Sequence, residues 1–138
     1  MKDFLLKYLT LFMTGGLFYY FLEITVRHYS HVSMIICGGL AMVLCGGLNQ
    51  TFRHMGLLWQ MILSSIVITE LEYITGYIVN IKMGLSVWDY SDMPFNLGGQ
   101  ICLPYSILWM ILSPGIILLD DMIRHRLFGE KKVKYHII

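Results

Sequence analysis

Charged residues are scarce in this chain: Asp, Glu, Lys and Arg make up 14% of its 138 residues, against 57% hydrophobic and a mean hydropathy of +0.64. An ordinary soluble domain carries about a quarter charged residues, so that class is excluded. The net charge of +1 supplies no basic field, and no nucleic-acid partner is expected. Cysteine is sparse too. Cys37, Cys45 and Cys102 stand in or beside apolar runs without CxxC or Cys/His ligand spacing, which makes them small packing residues rather than a disulfide or zinc framework. No GxxxxGK[ST] loop, nucleophile elbow or dinucleotide-binding glycine pattern occurs, so ATP hydrolysis by a P-loop in this chain is excluded and no cofactor is expected. His28 and His31, even taken with Glu23 and Asp89, form no HxxxH or HExxH pattern, and no metal is expected.

What is abundant is apolar sequence, in runs of roughly 18 to 24 residues, the length a helix needs to cross about 30 Å of hydrocarbon. Four runs fit, at about 4–26, 32–48, 56–79 and 97–119. They predict one all-α domain over 1–138, a polytopic membrane bundle of about four helices in the lipid bilayer, with a short basic tail at 120–138. The first run ends at charged Glu23 and Arg27 rather than at a small-residue cleavage site, so it reads as a retained helix.

Basic residues near helix ends are retained on the cytoplasmic side. The two termini and the 49–54 connection carry Lys2, Lys7, Arg53, Arg124, Arg126, Lys131, Lys132 and Lys134; the opposite side has only Arg27 and Lys82. Both termini are therefore expected in the cytoplasm of a multi-pass cell-membrane protein, with the Asn80–Asn96 loop outside. In the second run Gly38 and Gly46 are eight residues apart, as are Gly39 and Gly47. Each pair falls on nearly one face and, with Cys37, Ala41 and Cys45, makes a smooth strip for close helix approach, either within the chain or in a homodimer. Pro104 and Ser113-Pro114-Gly115 are expected to kink or open the fourth helix.

Ionisable groups at membrane depth are costly and mark paired or functional positions. Glu70 is the deepest candidate; Glu72, two residues on, lies about 200° round the helix, so both cannot face one site. Glu23 and Arg27, four apart, pair along their helix, which alone accounts for both. The sharper expectation has Arg27 shared between Glu23 and Glu70 beneath the outer loop. That loop concentrates donors and acceptors, giving a candidate substrate-binding set of Glu23, Arg27, Glu70, Trp88, Asp89, Tyr90, Ser91, Asn96 and Gln100. Trp88 and Tyr90 also suit an interfacial anchor role.

The elements Glu70-Leu71, Gly76, Trp88-Asp89-Tyr90-Ser91, Pro94, Asn96, Gly99-Gln100-Ile101-Cys102, Ser106 and Trp109 form a recognisable series, preceded by Glu23, Arg27, His31, Ser33 and Met34. Over about four-fifths of the chain this series resembles the small membrane proteins described as putative ABC-transporter type IV permeases of the CmpB type. The resemblance implies a four-helix bundle, a role for the glutamate and WDYS region, and a separate chain for any ATPase subunit. A transport or transport-accessory protein with a polar outer-face site is the leading expectation. The rival is an intramembrane enzyme on a lipid or isoprenoid-like substrate, with Glu70 and Asp89 as acid and base; a structural or regulatory membrane subunit is the third reading.

Overall fold

The structure, a computed structural model, describes residues 1–138. It is all-helical: α1 (Lys2–Arg27), α2 (Val32–Gly46) with a one-turn continuation α3 (Leu48–Thr51), α4 (Leu57–Gly76) running on into a π-helical turn (Tyr77–Lys82), and α5 (Leu103–Phe128). Four segments, Lys2–Arg27, Val32–Thr51, Leu57–Lys82 and Leu103–Phe128, are long and apolar enough to cross a membrane. The only strand-like pairing is a single bridge between Leu97 and Ile101.

Local chemistry sets the helix ends. His28 takes a left-handed conformation (φ 58°) and closes α1 by donating its N–H to the Ile24 carbonyl. His31 then starts α2, its imidazole Nδ1 accepting the Ser33 N–H at 3.2 Å as an N-cap usually supplied by Ser, Thr, Asp or Asn. The fourth helix differs from the apolar run that predicts it. Gly98 and Gly99 take positive φ (58° and 72°), which keeps residues 97–102 out of the helix. Pro104 falls in the first turn of α5, where its missing N–H has no intrahelical acceptor to lose, so it starts the helix instead of kinking it. At the other end α5 passes through 119 and stops at Gly129 (φ 67°), so residues 120–128 of the expected tail are helix.

Residues 129–138 fold back. The N–H groups of Leu57 and Leu58 donate to the carbonyls of His136 (2.8 Å) and Ile137 (3.0 Å), capping an α4 N-terminus that has no side-chain cap. The Lys7–Glu130 ion pair (2.5 Å) brings the start of α1 beside this segment. Both termini therefore lie at one end of the bundle, the termini end; the loop 83–102 closes the other.

The glycine strip is used inside the chain. A Cβ on Gly38 would lie 2.6 Å from Tyr19 Cβ and one on Gly39 2.7 Å from the Phe12 ring, both on α1; one on Gly46 would lie 2.3 Å from Asp120 Cγ on α5. Of the homodimer face expected at Gly38, Gly39, Gly46 and Gly47, the first three positions are therefore already covered by α1 and α5, while Gly47 meets only the backbone of its own helix.

The termini end holds a buried polar network. Arg124, 2% exposed, donates from Nε to fully buried Asp120 Oδ2 at 2.6 Å, and its guanidinium lies over the Tyr8 ring (5.3 Å to the centroid). Asp121 accepts from Asn49 Nδ2 (2.6 Å) and from the Tyr135 hydroxyl (2.6 Å), and Gln60 Nε2 donates to Asn49 Oδ1 (2.6 Å). Burial, followed by that bond to the Asp121 carboxylate, pushes the Tyr135 hydroxyl above its ordinary pKa.

Candidate functional site

Loop 83–102 is a plug. Trp88 (5% exposed) and Tyr90 (8%) point into the bundle with Val87 and pack on Met34, Cys37, Val79 and Cys102. The Trp88 indole N–H donates to the Gln100 carbonyl at 2.9 Å; Asn80 Nδ2 donates to Gln100 Oε1 at 2.8 Å, and Asn80 Oδ1 accepts the Val87 N–H at 2.7 Å. Tyr90 stacks on Tyr105 with centroids 4.7 Å apart. Gly76 makes room for all of this: a Cβ there would meet Gln100 Oε1 at 2.5 Å and Trp88 at 2.9 Å. Trp88 and Tyr90 are thus core residues, not interfacial anchors. Burial raises the Tyr90 hydroxyl above its ordinary pKa, with the Glu72 charge adding to the effect.

The other loop residues hold the plug's shape. Asp89 Oδ1 accepts from the Ser91 N–H (2.8 Å) and from the Ser91 hydroxyl, bonds that lower the exposed Asp89 carboxyl below its usual range. Asn96 Nδ2 donates to the Ser91 and Met93 carbonyls (3.1 and 2.9 Å), and Asn96 Oδ1 accepts the Gly99 N–H (3.2 Å). Asp89, Ser91 and Asn96 are all exposed and bond within the loop.

Glu23, 7% exposed, pairs with Arg27 (3.1 Å) as the spacing predicts and also accepts from Ser30 Oγ (3.1 Å). The second partner of Arg27 is the Val87 carbonyl, 2.6 Å from Nη2, so Arg27 ties α1 to the plug. It is not shared with Glu70, which lies on the exposed face of α4 and makes no hydrogen bond or ion pair. Consequently the expected sharing of Arg27 between Glu23 and Glu70 does not occur, leaving the i,i+4 pair, and the Glu70–Asp89 acid–base pair of the enzyme reading is not assembled: one carboxyl is on the helix exterior and the other is engaged in its own turn.

Of the two glutamates of α4, the one that turns into the bundle is Glu72, at 2% exposure. Its Oε1 accepts from the Tyr19 hydroxyl (3.2 Å) and its Oε2 from the Trp109 indole N–H (2.9 Å). Fifteen residues from the start of α4, at about 1.5 Å each, put it roughly 22 Å along the helix, well within the hydrocarbon depth. No cation pairs with it; the ion pairs of the chain are Lys7–Glu130, Arg27–Glu23, Arg124–Asp120 and Arg124–Glu130. The sequence carried a signal for this residue. Gln60, Ser64, Ile68, Glu72 and Gly76 recur every four positions, and all are buried, whereas Glu70 is off that register.

Separated from Glu72 by the Tyr19 and Trp109 side chains lies an apolar cavity of about 450 Å³ lined by α1, α2 and α5, with Ile68 of α4 on its wall. Tyr19 and Trp109, rings 5.5 Å apart, line it on one side and hold Glu72 on the other. Phe18, Leu112 and Gly115 on its wall are exposed on the flank of the bundle, so the cavity communicates with that flank at membrane depth. The arrangement offers a hydrogen-bonding carboxyl, two aromatic faces and an adjoining apolar volume.

No curated protein and no solved structure matches this chain. A family model does match, over residues 10–134, which takes in most of α1, the other three membrane-length helices and the plug. With four apolar helices and that match, this is a small, multi-pass, transport-related membrane protein, and the chain belongs to the family described as "Putative ABC-transporter type IV".

Proposed function

We propose that the protein is a transport or transport-accessory subunit that binds an amphipathic, cationic or hydrogen-bond-donating substrate at Glu72. The observation that carries this reading is a carboxyl, 2% exposed, held by Tyr19 and Trp109 at membrane depth without a cation. A carboxyl so placed is a functional position by default. The cavity supplies space for the apolar part of the substrate, and the Tyr19 and Trp109 rings supply cation–π contact. In this reading the plug end faces outward, in accord with the basic residues at the termini end. Glu23, Arg27, Trp88, Tyr90 and Gln100 then close the site from outside, while Asp89, Ser91 and Asn96 keep the closing loop in shape. Any ATP-driven step would come from a separate ATPase subunit.

Tetraphenylphosphonium, a lipophilic aromatic cation, is a suitable probe. Equilibrium dialysis with the detergent-solubilised protein should show saturable binding that Glu72→Gln weakens by about tenfold or more. Glu70→Gln should leave it within about twofold. Binding that survives Glu72→Gln in a folded protein would overturn the reading.

A further inference from the structure

The face of α4 that ends in Glu72 is polar for most of its length. Gln60 (2% exposed) and Ser64 (0%) precede Ile68 (3%) and Glu72, each one turn from the next. Gln60 is joined through Asn49 to Asp121, so this face continues the polar network of the termini end into the bundle. Two other hydroxyls of α4 are satisfied by α5: Ser65 Oγ donates to the Ser106 carbonyl (2.5 Å), and Thr69 Oγ1 bonds Ser106 Oγ (2.8 Å). Gln60 Oε1 and Ser64 Oγ, by contrast, are buried with no hydrogen-bond partner in the protein.

Unpartnered buried polar atoms are costly, and hydrocarbon offers them nothing. Residues four apart on a helix have Cβ atoms about 5–6 Å apart, a separation that one water can bridge. We propose that Gln60 and Ser64 hold a short file of water, a hydrated half-channel from the termini end that stops at Ile68 and gives protons a route toward Glu72. Ile68 packs with Ala41, Cys45 and Trp109 and is the apolar barrier midway between Ser64 and Glu72, which lie about two turns apart. The function of this route rests on the reading of Glu72 given above; the water itself does not.

The test is water-edited solid-state NMR on the full chain in deuterated-lipid bilayers. Magnetisation from water should build up on Ser64 and Gln60 roughly fivefold faster than on Ile66, an exposed residue of the same helix. Gln60→Leu should reduce the Ser64 rate to that of Ile66, and Ile68→Ser should extend the water signal to Glu72. Ile68→Thr serves the same purpose where Ile68→Ser does not elute as a folded protein. A Ser64 rate no faster than that of Ile66 in the unmodified protein would overturn the half-channel, as would a Ser64 rate indifferent to Gln60→Leu. A water signal that stays short of Glu72 in both folded Ile68 variants would overturn Ile68 as the barrier. Tetraphenylphosphonium binding reports on Glu72 independently, so failure of the water file and failure of the binding site give different results.

Discussion

Arg124→Met is expected to lower folding stability by about 3–5 kcal/mol, the usual consequence of stranding one member of a buried ion pair. Asp120 is fully buried, and Arg124 is its partner through both Nε (2.6 Å) and Nη2 (3.4 Å). Removing the guanidinium leaves a carboxylate in apolar surroundings and also withdraws the cation from the Tyr8 ring and from Glu130. The double variant Asp120→Leu/Arg124→Met should recover most of the loss, because neither charge then remains to be desolvated. Unfolding in mixed micelles measures both. A single variant as stable as the unmodified protein would mean that Asp120 reaches water and that the pair is not buried.

The second large effect is expected from Gly76→Leu. Gly76 has ordinary helical dihedrals (φ −62°), so backbone strain plays no part. Its Cβ would lie 2.5 Å from Gln100 Oε1, and Gln100 is the residue on which Asn80 and Trp88 both converge. Overpacking of this kind costs about 1–3 kcal/mol. Moving Gln100 also breaks the bond from Asn80, for about 1 kcal/mol more. The variant should therefore melt earlier in detergent, and collisional quenching of tryptophan fluorescence should increase as Trp88 leaves the core. Unchanged melting and quenching would mean that the plug does not seat against α4.

These two positions show what the sequence made legible and what it did not. The helix count follows from apolar run length, and the Glu23–Arg27 pair from its i,i+4 spacing. The fourth run misled at both ends because hydropathy is blind to backbone conformation: residues 97–102 are apolar enough for a span, but Gly98 and Gly99 adopt positive φ. Asp120 and Asp121 end the apolar run without ending the helix, since Arg124, Asn49 and Tyr135 satisfy them inside the bundle. Trp88 and Tyr90 resemble interfacial aromatics in a linear reading. Their burial depends on the space left by a glycine on another helix.

Glu70 and Glu72 illustrate the same point most sharply. Depth along the helix favours Glu70, and only the angular register decides between the two. The four-residue recurrence Gln60, Ser64, Ile68, Glu72, Gly76 gives that register, and Trp109 on α5 completes it.

Placement of Glu72 against Trp109 is most directly measured by double-mutant cycles in folding stability. Trp109→Phe combined with Glu72→Leu, which removes the acceptor, should show a coupling of about 1–3 kcal/mol, that of a buried hydrogen bond whose loss strands its partner. Trp109→Phe combined with Glu70→Gln should be additive within about 0.5 kcal/mol. Coupling to Glu70 with none to Glu72 would place the wrong carboxyl inside the bundle and contradict the site.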